Sequence, residues 1–199
     1  MKKDRFVAFF DAIMAIIMTI VVLEFVIPNG TKWIDLSVLW TQILAYALSF
    51  FWLGQMWINI HGTWTKVENV SRSVLFVNIT MLFFASMIPY FVVYVGSNIN
   101  EKLPQLLYGV DVMIIVLINQ ISAELLSKEN EELKPVVKKT RVFVLIDESI
   151  KVIGLIIGMT VYPPAVMIAV FTAMIVLAVL FGLQNKKLKK GDRINEKIT

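Results

Sequence analysis

The amino-acid sequence predicts an all-α protein that crosses a membrane six times. Of its 199 residues, 58% are hydrophobic and only 17% are charged, whereas a soluble domain is about half apolar and about a quarter charged. The apolar residues gather in six runs, and about 20 apolar residues in a helix span a hydrocarbon core of about 30 Å. One water-soluble core cannot hide so much apolar surface, so we expect an integral membrane protein.

The six runs follow one another with short connections. Turn signals bound them at Pro28-Asn29-Gly30 and at Pro163-Pro164. We expect residues 1–185 to form one membrane domain and residues 186–199 to form a basic cytoplasmic tail. The predicted spans cover residues 6–27, 36–60, 73–95, 103–126, 140–162 and 165–183.

The first span begins after basic residues, as a signal peptide does. Its apolar run is longer than the usual h-region of about 7–15 residues, and no small-residue cleavage site follows it. We therefore expect it to be retained as a membrane helix.

The basic residues predict the orientation of the chain. Sixteen of the 19 lie in the segments on one side of the predicted spans, and the opposite loops hold only Lys32 and Lys102. Under the positive-inside rule both termini are cytoplasmic. Basic residues beside membrane spans suit anionic lipid head groups, so we expect lipid contacts and no nucleic-acid partner.

Several chemical classes are excluded by residue types. The chain has no cysteine and one histidine, His61, so a disulfide framework, a thiolate metal site and a multi-histidine site are all impossible within one chain. It carries neither His-Glu-x-x-His nor Gly-x-Ser-x-Gly. We expect no enzyme, no metal site and no cofactor.

The first span combines an apolar stripe with a buried charge. Ile16, Ile20 and Leu23 follow helical spacing and share one face, with the hydroxyl of Thr19 beside them. A charge within a span costs about 2.5–3.5 kcal/mol on insertion scales, so Asp11 must face protein or water. An ordinary packing or lipid-facing surface would carry the same apolar stripe.

The start of this span follows the pattern Arg-x-x-x-Phe-Phe-Asp, with Arg5, Phe9, Phe10 and Asp11 at the four named positions. It resembles the first-span signature of the transmembrane protein 175 family, six-helix potassium-permeable channels that are lysosomal in animals and also occur in bacteria and archaea. The family has Arg-x-x-x-Phe-Ser-Asp, so Phe10 replaces a serine and one hydroxyl of the family's polar network is missing.

Two further spans resemble the same family. The second contains Ser49-Phe50 and then Trp57-x-x-x-His61. Asn78 and Pro89 match the third-span pattern; Asn78 suits a contact between helices or an ion ligand, and Pro89 suits a helix bend.

The resemblance implies a homotetramer that conducts K⁺ as the permeant ion, with the pore formed by the first helix. Because no internal repeat doubles the six-helix unit, several copies must surround the axis. By resemblance Ile16 forms the constriction, Ile20 and Leu23 line the pore, and Thr19 is the candidate selectivity layer. Stacked rings of such side chains can close a pathway by dewetting. A prokaryotic plasma membrane fits a single six-helix unit.

Asp11 and the second span suggest a polar network. Trp57 and His61 are four residues apart and share a face, so Asp11 can accept hydrogen bonds from Trp57, His61 or Arg5. The alternative is that Trp57 and His61 anchor the helix at the membrane interface without a partner.

The fourth and fifth spans carry charges that leave a rival function open. Lys151 is spaced to pair with Asp147 and Glu148 on its own helix, and Asp111 can reach it from the fourth span. The alternative is a proton-coupled secondary transporter that relays protons through these four residues. A membrane protein that binds lipids or partners without conducting ions is the third interpretation.

Overall fold

A computed structural model describes the backbone at residues 3–28, 30 and 32–195, with side chains described there except at positions 34, 35, 37, 38 and 183–195. These residues form helices and connecting turns and no strand, as the all-α prediction requires. The helices are α1 Lys3–Ile20, α2 Ser37–Trp64, α3 Arg72–Ala85, α4 Ile88–Ser97, α5 Lys102–Glu129, α6 Lys134–Thr160 and α7 Ala165–Asn195.

Three short 3₁₀ turns extend the helices, at Val21–Glu24, Trp33–Leu36 and Glu131–Leu133. The first span therefore ends at Glu24, short of the predicted residue 27, and Phe25 is extended with ψ 133°. Ile27 precedes Pro28, and a residue before proline is pushed away from helical geometry. The helices of the second, third and fourth spans run up to four residues past their predicted ends, and the helix of the fifth begins six residues before its predicted start and ends at Thr160.

Helices α3 and α4 form one broken rod, Arg72–Ser97. The break lies at Ser86 and Met87, and Pro89 stands in the first turn of α4, where its missing N–H leaves no hydrogen bond unmade. Pro89 thus accompanies a break in the helix, as expected of it.

Five helical segments of the described chain are long and apolar enough to cross a membrane: Lys3–Glu24, Leu39–Trp64, Arg72–Ser97, Lys102–Glu129 and Ala165–Gly182. The remaining long helix is α6, with 27 residues, or about 40 Å at 1.5 Å per residue. Its length suffices, but it carries Asp147, Glu148 and Lys151 in its apolar part.

The backbone of α7 runs to Asn195, through most of the predicted tail, whose side chains and last four residues lie outside the described part.

The helices pack as neighbouring pairs, and small residues bring some of them very close. Helix α6 packs on α7, α2 on α4, and α5 on both α3 and α6. At Gly154 a Cβ atom would lie 2.1 Å from the Cβ of Ala169, and at Gly96 it would lie 2.8 Å from the Cα of Gln42. These glycines let the backbone of α6 approach the side chain of Ala169 on α7, and the backbone of α4 approach the backbone of α2 at Gln42.

Candidate functional site

Helix α1 has one face against its own chain and one face uncovered. The uncovered face includes Ile16, 60% exposed, Ile20, 39% exposed, and Leu23, 79% exposed. The covered face packs on α2, α3 and α4. It consists of Phe6, Phe10, Met14, Ile17 and Val21.

The hydroxyl of Thr19 lies on the uncovered face and donates back to its own helix. Its Oγ1 is 2.9 Å from the carbonyl oxygen of Ala15 and 3.2 Å from that of Ile16. This bond uses the hydroxyl proton and leaves the lone pairs of the oxygen to face outward. The Oγ1 of Thr19 therefore keeps its capacity to accept a hydrogen bond, beside Ile16.

The uncovered face also carries small side chains. Ala8, Ala12 and Ala15 are exposed and follow the four- and three-residue spacing of one helix face. Small residues let helices approach closely within a membrane. This face therefore suits contact with another helix from outside the chain.

Asp11 is bonded to α2 on the other side of α1. The indole Nε1 of Trp57 donates to its Oδ1 at 2.8 Å, and the Nδ1 of His61 lies 4.0 Å from its Oδ2. The rings of Trp57 and His61 are stacked at a tilt, with centroids 5.3 Å apart. Asp11 is thus held by α2. The alternative that Trp57 only anchors its helix at the membrane interface, without a partner, does not apply, because Trp57 donates to Asp11.

The remaining motif residues divide between the two faces. Arg5 and Phe9 are exposed. Of the three possible donors to Asp11, Trp57 makes the hydrogen bond, and Arg5 makes no ion pair or hydrogen bond with the described residues. Arg5 lies a turn and a half before Asp11, on the uncovered side of the helix. Phe10 is buried and packs on Phe6 with ring centroids 6.4 Å apart, so an aromatic contact occupies the place of the family's hydroxyl.

Polar bonds that the sequence did not reveal fix both ends of α1. At its start the Nζ of Lys3 donates to the carbonyl oxygen of Val67 at 2.6 Å. The loop that carries Val67 is held in turn by Asn130, whose Oδ1 accepts from the backbone N–H groups of Glu68 and Asn69 at 2.9 and 3.0 Å.

At the far end the backbone N–H of Val26 donates to Oε1 of Gln42 at 3.1 Å, and Nε2 of Gln42 donates to Ser97 at 2.9 Å. Gln42 is 1% exposed, and a glutamine inside an apolar span is the signal that could have marked it. Helix α1 is therefore fastened at both ends and in its first half.

Within the bundle, polar groups join helices in pairs. The Nδ2 of Asn78 donates to Oγ of Ser122 at 2.6 Å, so Asn78 makes the expected contact between helices. The hydroxyls of Ser49 and Tyr108 are 3.1 Å apart and buried, which joins α2 to α5.

Three charged groups in the apolar part of α6 form a cluster, and Asp111 of α5 lies apart from it. The Nζ of Lys151 lies 2.5 Å from Asp147 and 3.5 Å from Glu148, as their spacing predicts. Asp111 is 4% exposed, and its Oδ2 has no hydrogen-bond partner in the described chain. The expected pair of Asp111 with Lys151 is absent, so the structure does not join the four residues of the proton-relay hypothesis.

Comparisons with known proteins point to one family of membrane proteins. The family model described as endosomal/lysosomal potassium channel TMEM175 matches residues 5–89, which include Asp11, Trp57 and His61. A potassium channel of Chryseobacterium sp. (strain P1-3) is 33% identical over 137 residues, which are 67% of this chain and 71% of that protein. A potassium channel of Streptomyces collinus is 31% identical over 93 residues, 45% of each chain.

A solved structure shares the fold. The crystal structure of a lysosomal potassium-selective channel TMEM175 homolog from Chamaesiphon minutus matches with a TM-score of 0.67 and 19% identity, over 92% of this chain and 97% of that one. At that identity the likeness is one of fold. With the Chryseobacterium relative and the family model, it places the chain in a family of membrane channels and not of enzymes. The chain belongs to the TMEM175 family of potassium channels.

Proposed function

We propose that this protein conducts K⁺ passively through a homotetrameric pore lined by α1. The observation that carries the proposal is the uncovered apolar face of α1, with Ile16 60% and Leu23 79% exposed while the opposite face is buried. One chain cannot enclose a pathway with one helix face. Copies arranged about an axis can, and the relatives named as potassium channels give the permeant ion.

The constriction is proposed at Ile16, with Ile20 and Leu23 lining the pore beyond it. Rings of branched apolar side chains exclude water when the passage is narrow, and a cation does not enter a dry segment. Thr19 lies between these rings, and its outward lone pairs replace part of the hydration shell of a cation. This ring of hydroxyl oxygens is the proposed selectivity layer.

The orientation follows from the distribution of basic residues, with both termini in the cytoplasm of a prokaryotic cell and anionic lipid head groups against that side. The fastened α1 suits this role, because a pore helix must keep its face toward the axis. Asp11, Trp57 and His61 then act as positioning residues that set the rotation of α1.

The test is ion flux from liposomes that contain the purified protein, loaded with K⁺ or Na⁺ and with no proton gradient. Substitution Ile16→Asn is expected to wet the constriction and to raise K⁺ flux about tenfold or more, since each 1.4 kcal/mol removed from a barrier gives a factor of ten. The matched control is Ile156→Asn, an isoleucine of α6 that is 58% exposed.

A rise with both substitutions would point to general leakiness and would contradict the assignment of Ile16. An unchanged flux with Ile16→Asn would place the constriction elsewhere. Flux that appears only when a proton gradient is imposed, and that saturates with substrate, would replace the channel by a proton-coupled carrier.

A further inference from the structure

A cavity of about 330 Å³ lies inside the single chain, between α2, α5, α6 and α7, and no residue of α1 lines it. Trp52, Trp64 and Phe143 supply aromatic walls, and Asn59, Gln120 and Asp147 supply polar groups. Volumes of this order and walls of this kind are typical of small-molecule sites. The pore proposal uses none of these residues.

Gln120, a residue of the cavity wall, has a polar atom without a hydrogen-bond partner, and this atom indicates which kind of ligand group would bind there. The Nε2 of Gln120 donates to Glu124 at 2.8 Å, which fixes the amide orientation, since a carboxylate accepts only. The Oε1 of Gln120 is buried and accepts no hydrogen bond from the described residues. A ligand that donates a hydrogen bond would satisfy it, and an unsatisfied buried acceptor is costly.

The charges around the cavity favour a cation. The charged groups on its wall, those bonded to a wall residue, and the ion-pair partners of these form two connected sets. Arg141 bonds Glu124 at 2.7 Å, and Lys151 bonds Asp147 at 2.5 Å and Glu148 at 3.5 Å. Three carboxylates and two cations leave a formal charge of −1. The Oε2 of Glu148 is likewise buried without a hydrogen-bond partner among the described residues.

The cavity has an approach from the side of the bundle. It shares Gln55, Ile58 and Met174 with a shallow apolar groove between α2 and α7. An amphiphile dissolved in the membrane can enter by that groove, and its charged end then meets the amide and carboxylate groups inside.

We propose that this cavity is a binding site for a small amine with one positive charge and an apolar or aromatic body. The ammonium group donates to Oε1 of Gln120 and is stabilised by the excess carboxylate of the Asp147 and Glu148 cluster. The apolar body lies against Trp52, Trp64 and Phe143. The site is separate from α1, so its occupation does not require a conducting pore.

The experiment is equilibrium binding by calorimetry to the purified full chain in detergent. The probes are 2-phenylethylamine, which is protonated at neutral pH as lysine is, the neutral 2-phenylethanol and the anionic phenylacetate. The amine is expected to bind saturably, with one site per chain, and the alcohol about tenfold more weakly because it lacks the charge. Equal binding of the amine and the alcohol would overturn the proposal.

Two variants locate the site. Ala123→Phe places a ring in the cavity wall and is expected to weaken amine binding about tenfold or more, and Gln120→Leu, which removes the free acceptor, about threefold or more. The control is Ile79→Phe, on α3 and 48% exposed, which should leave binding unchanged. Amine binding that neither cavity variant weakens would show that the amine sits elsewhere.

Discussion

The carboxylate of Asp11 lies between two helices, and its partners decide how α1 stands against α2. Its Oδ1 accepts from Trp57 at 2.8 Å, while His61 remains at 4.0 Å from Oδ2. A carboxylate in a membrane helix needs such a donor, because a hydrogen bond to a charged group contributes about 1.5–3 kcal/mol. The indole of Trp57 therefore matters more to Asp11 than the imidazole of His61 does.

Substitution Trp57→Phe is the first prediction at this scale. It keeps an aromatic ring beside His61 but removes the donor, so we expect the free energy of unfolding to fall by about 1.5–3 kcal/mol. Denaturant unfolding in detergent, followed by helical circular dichroism, measures it. The control is Trp33→Phe, since Trp33 is 89% exposed; a similar loss in both variants would argue against a special role for the Asp11 bond.

Individual residues were partly predictable from the sequence. The i,i+4 spacing of Trp57 and His61 put both on the face that meets Asp11, and the spacing of Asp147 and Lys151 gave their ion pair. Arg5 was one of three possible donors to Asp11, but it lies six residues before Asp11, a spacing that puts the two side chains on different sides of a helix. The anchors Gln42 and Asn130 were missed, since their partners lie in loops and at the end of another helix, whose positions depend on the whole bundle.

At the scale of helices, contact between α6 and α7 depends on a missing side chain. A Cβ atom at Gly154 would lie 2.1 Å from Cβ of Ala169, a distance that real atoms do not adopt. The neighbour is itself a Cβ atom, which cannot rotate away. The two helices must therefore separate to admit even one methyl group.

Substitution Gly154→Ala is accordingly expected to lower the melting temperature and to cost about 1–3 kcal/mol, the usual range for overpacking. Ala169→Gly in the same chain should restore most of the loss, because it removes the opposing atom. Thermal unfolding in detergent is the measurement. A double variant no more stable than Gly154→Ala would contradict the close contact.

A matched control exists within α2. Gly62 is also helical, but a Cβ atom there meets nothing within 4 Å. Gly62→Ala is expected to leave stability unchanged or to raise it by up to about 1 kcal/mol, which is the difference in helix propensity between the two residues. A loss of stability with Gly154→Ala and a gain with Gly62→Ala would show that the effect at Gly154 comes from packing and not from helix propensity.

The helices themselves were the easiest part to predict. Apolar runs of membrane length located the helices, because a backbone in lipid must satisfy its own hydrogen bonds. Five of the six runs fall in segments of the described chain that are long and apolar enough to cross a membrane, and the run in α6 does not. Pro89 marked the place of the break between α3 and α4 in the sequence, but only the structure shows that the helix is interrupted there. The 3₁₀ end of α1 at Val21–Glu24 has no signature in the sequence beyond the proline that follows.

At the scale of the molecule, the pore proposal depends on assembly. The uncovered face of α1 carries Ala8, Ala12 and Ala15 next to its larger apolar residues, so copies can approach closely along it. The sequence could indicate that face by its periodicity, but neither the sequence nor a single chain specifies the number of copies. That number comes from the family resemblance and needs its own test.

We expect native mass spectrometry of the detergent-solubilised protein to give four times the 22.7 kDa mass of one chain. Ala12→Phe should reduce the tetramer in favour of smaller species while helical content stays unchanged, because the new ring projects from the uncovered face and holds the copies apart. Ala178→Phe, at an exposed alanine of α7, is the control. A tetramer that survives Ala12→Phe but not Ala178→Phe would move the central contact from α1 to α7, and the pore with it.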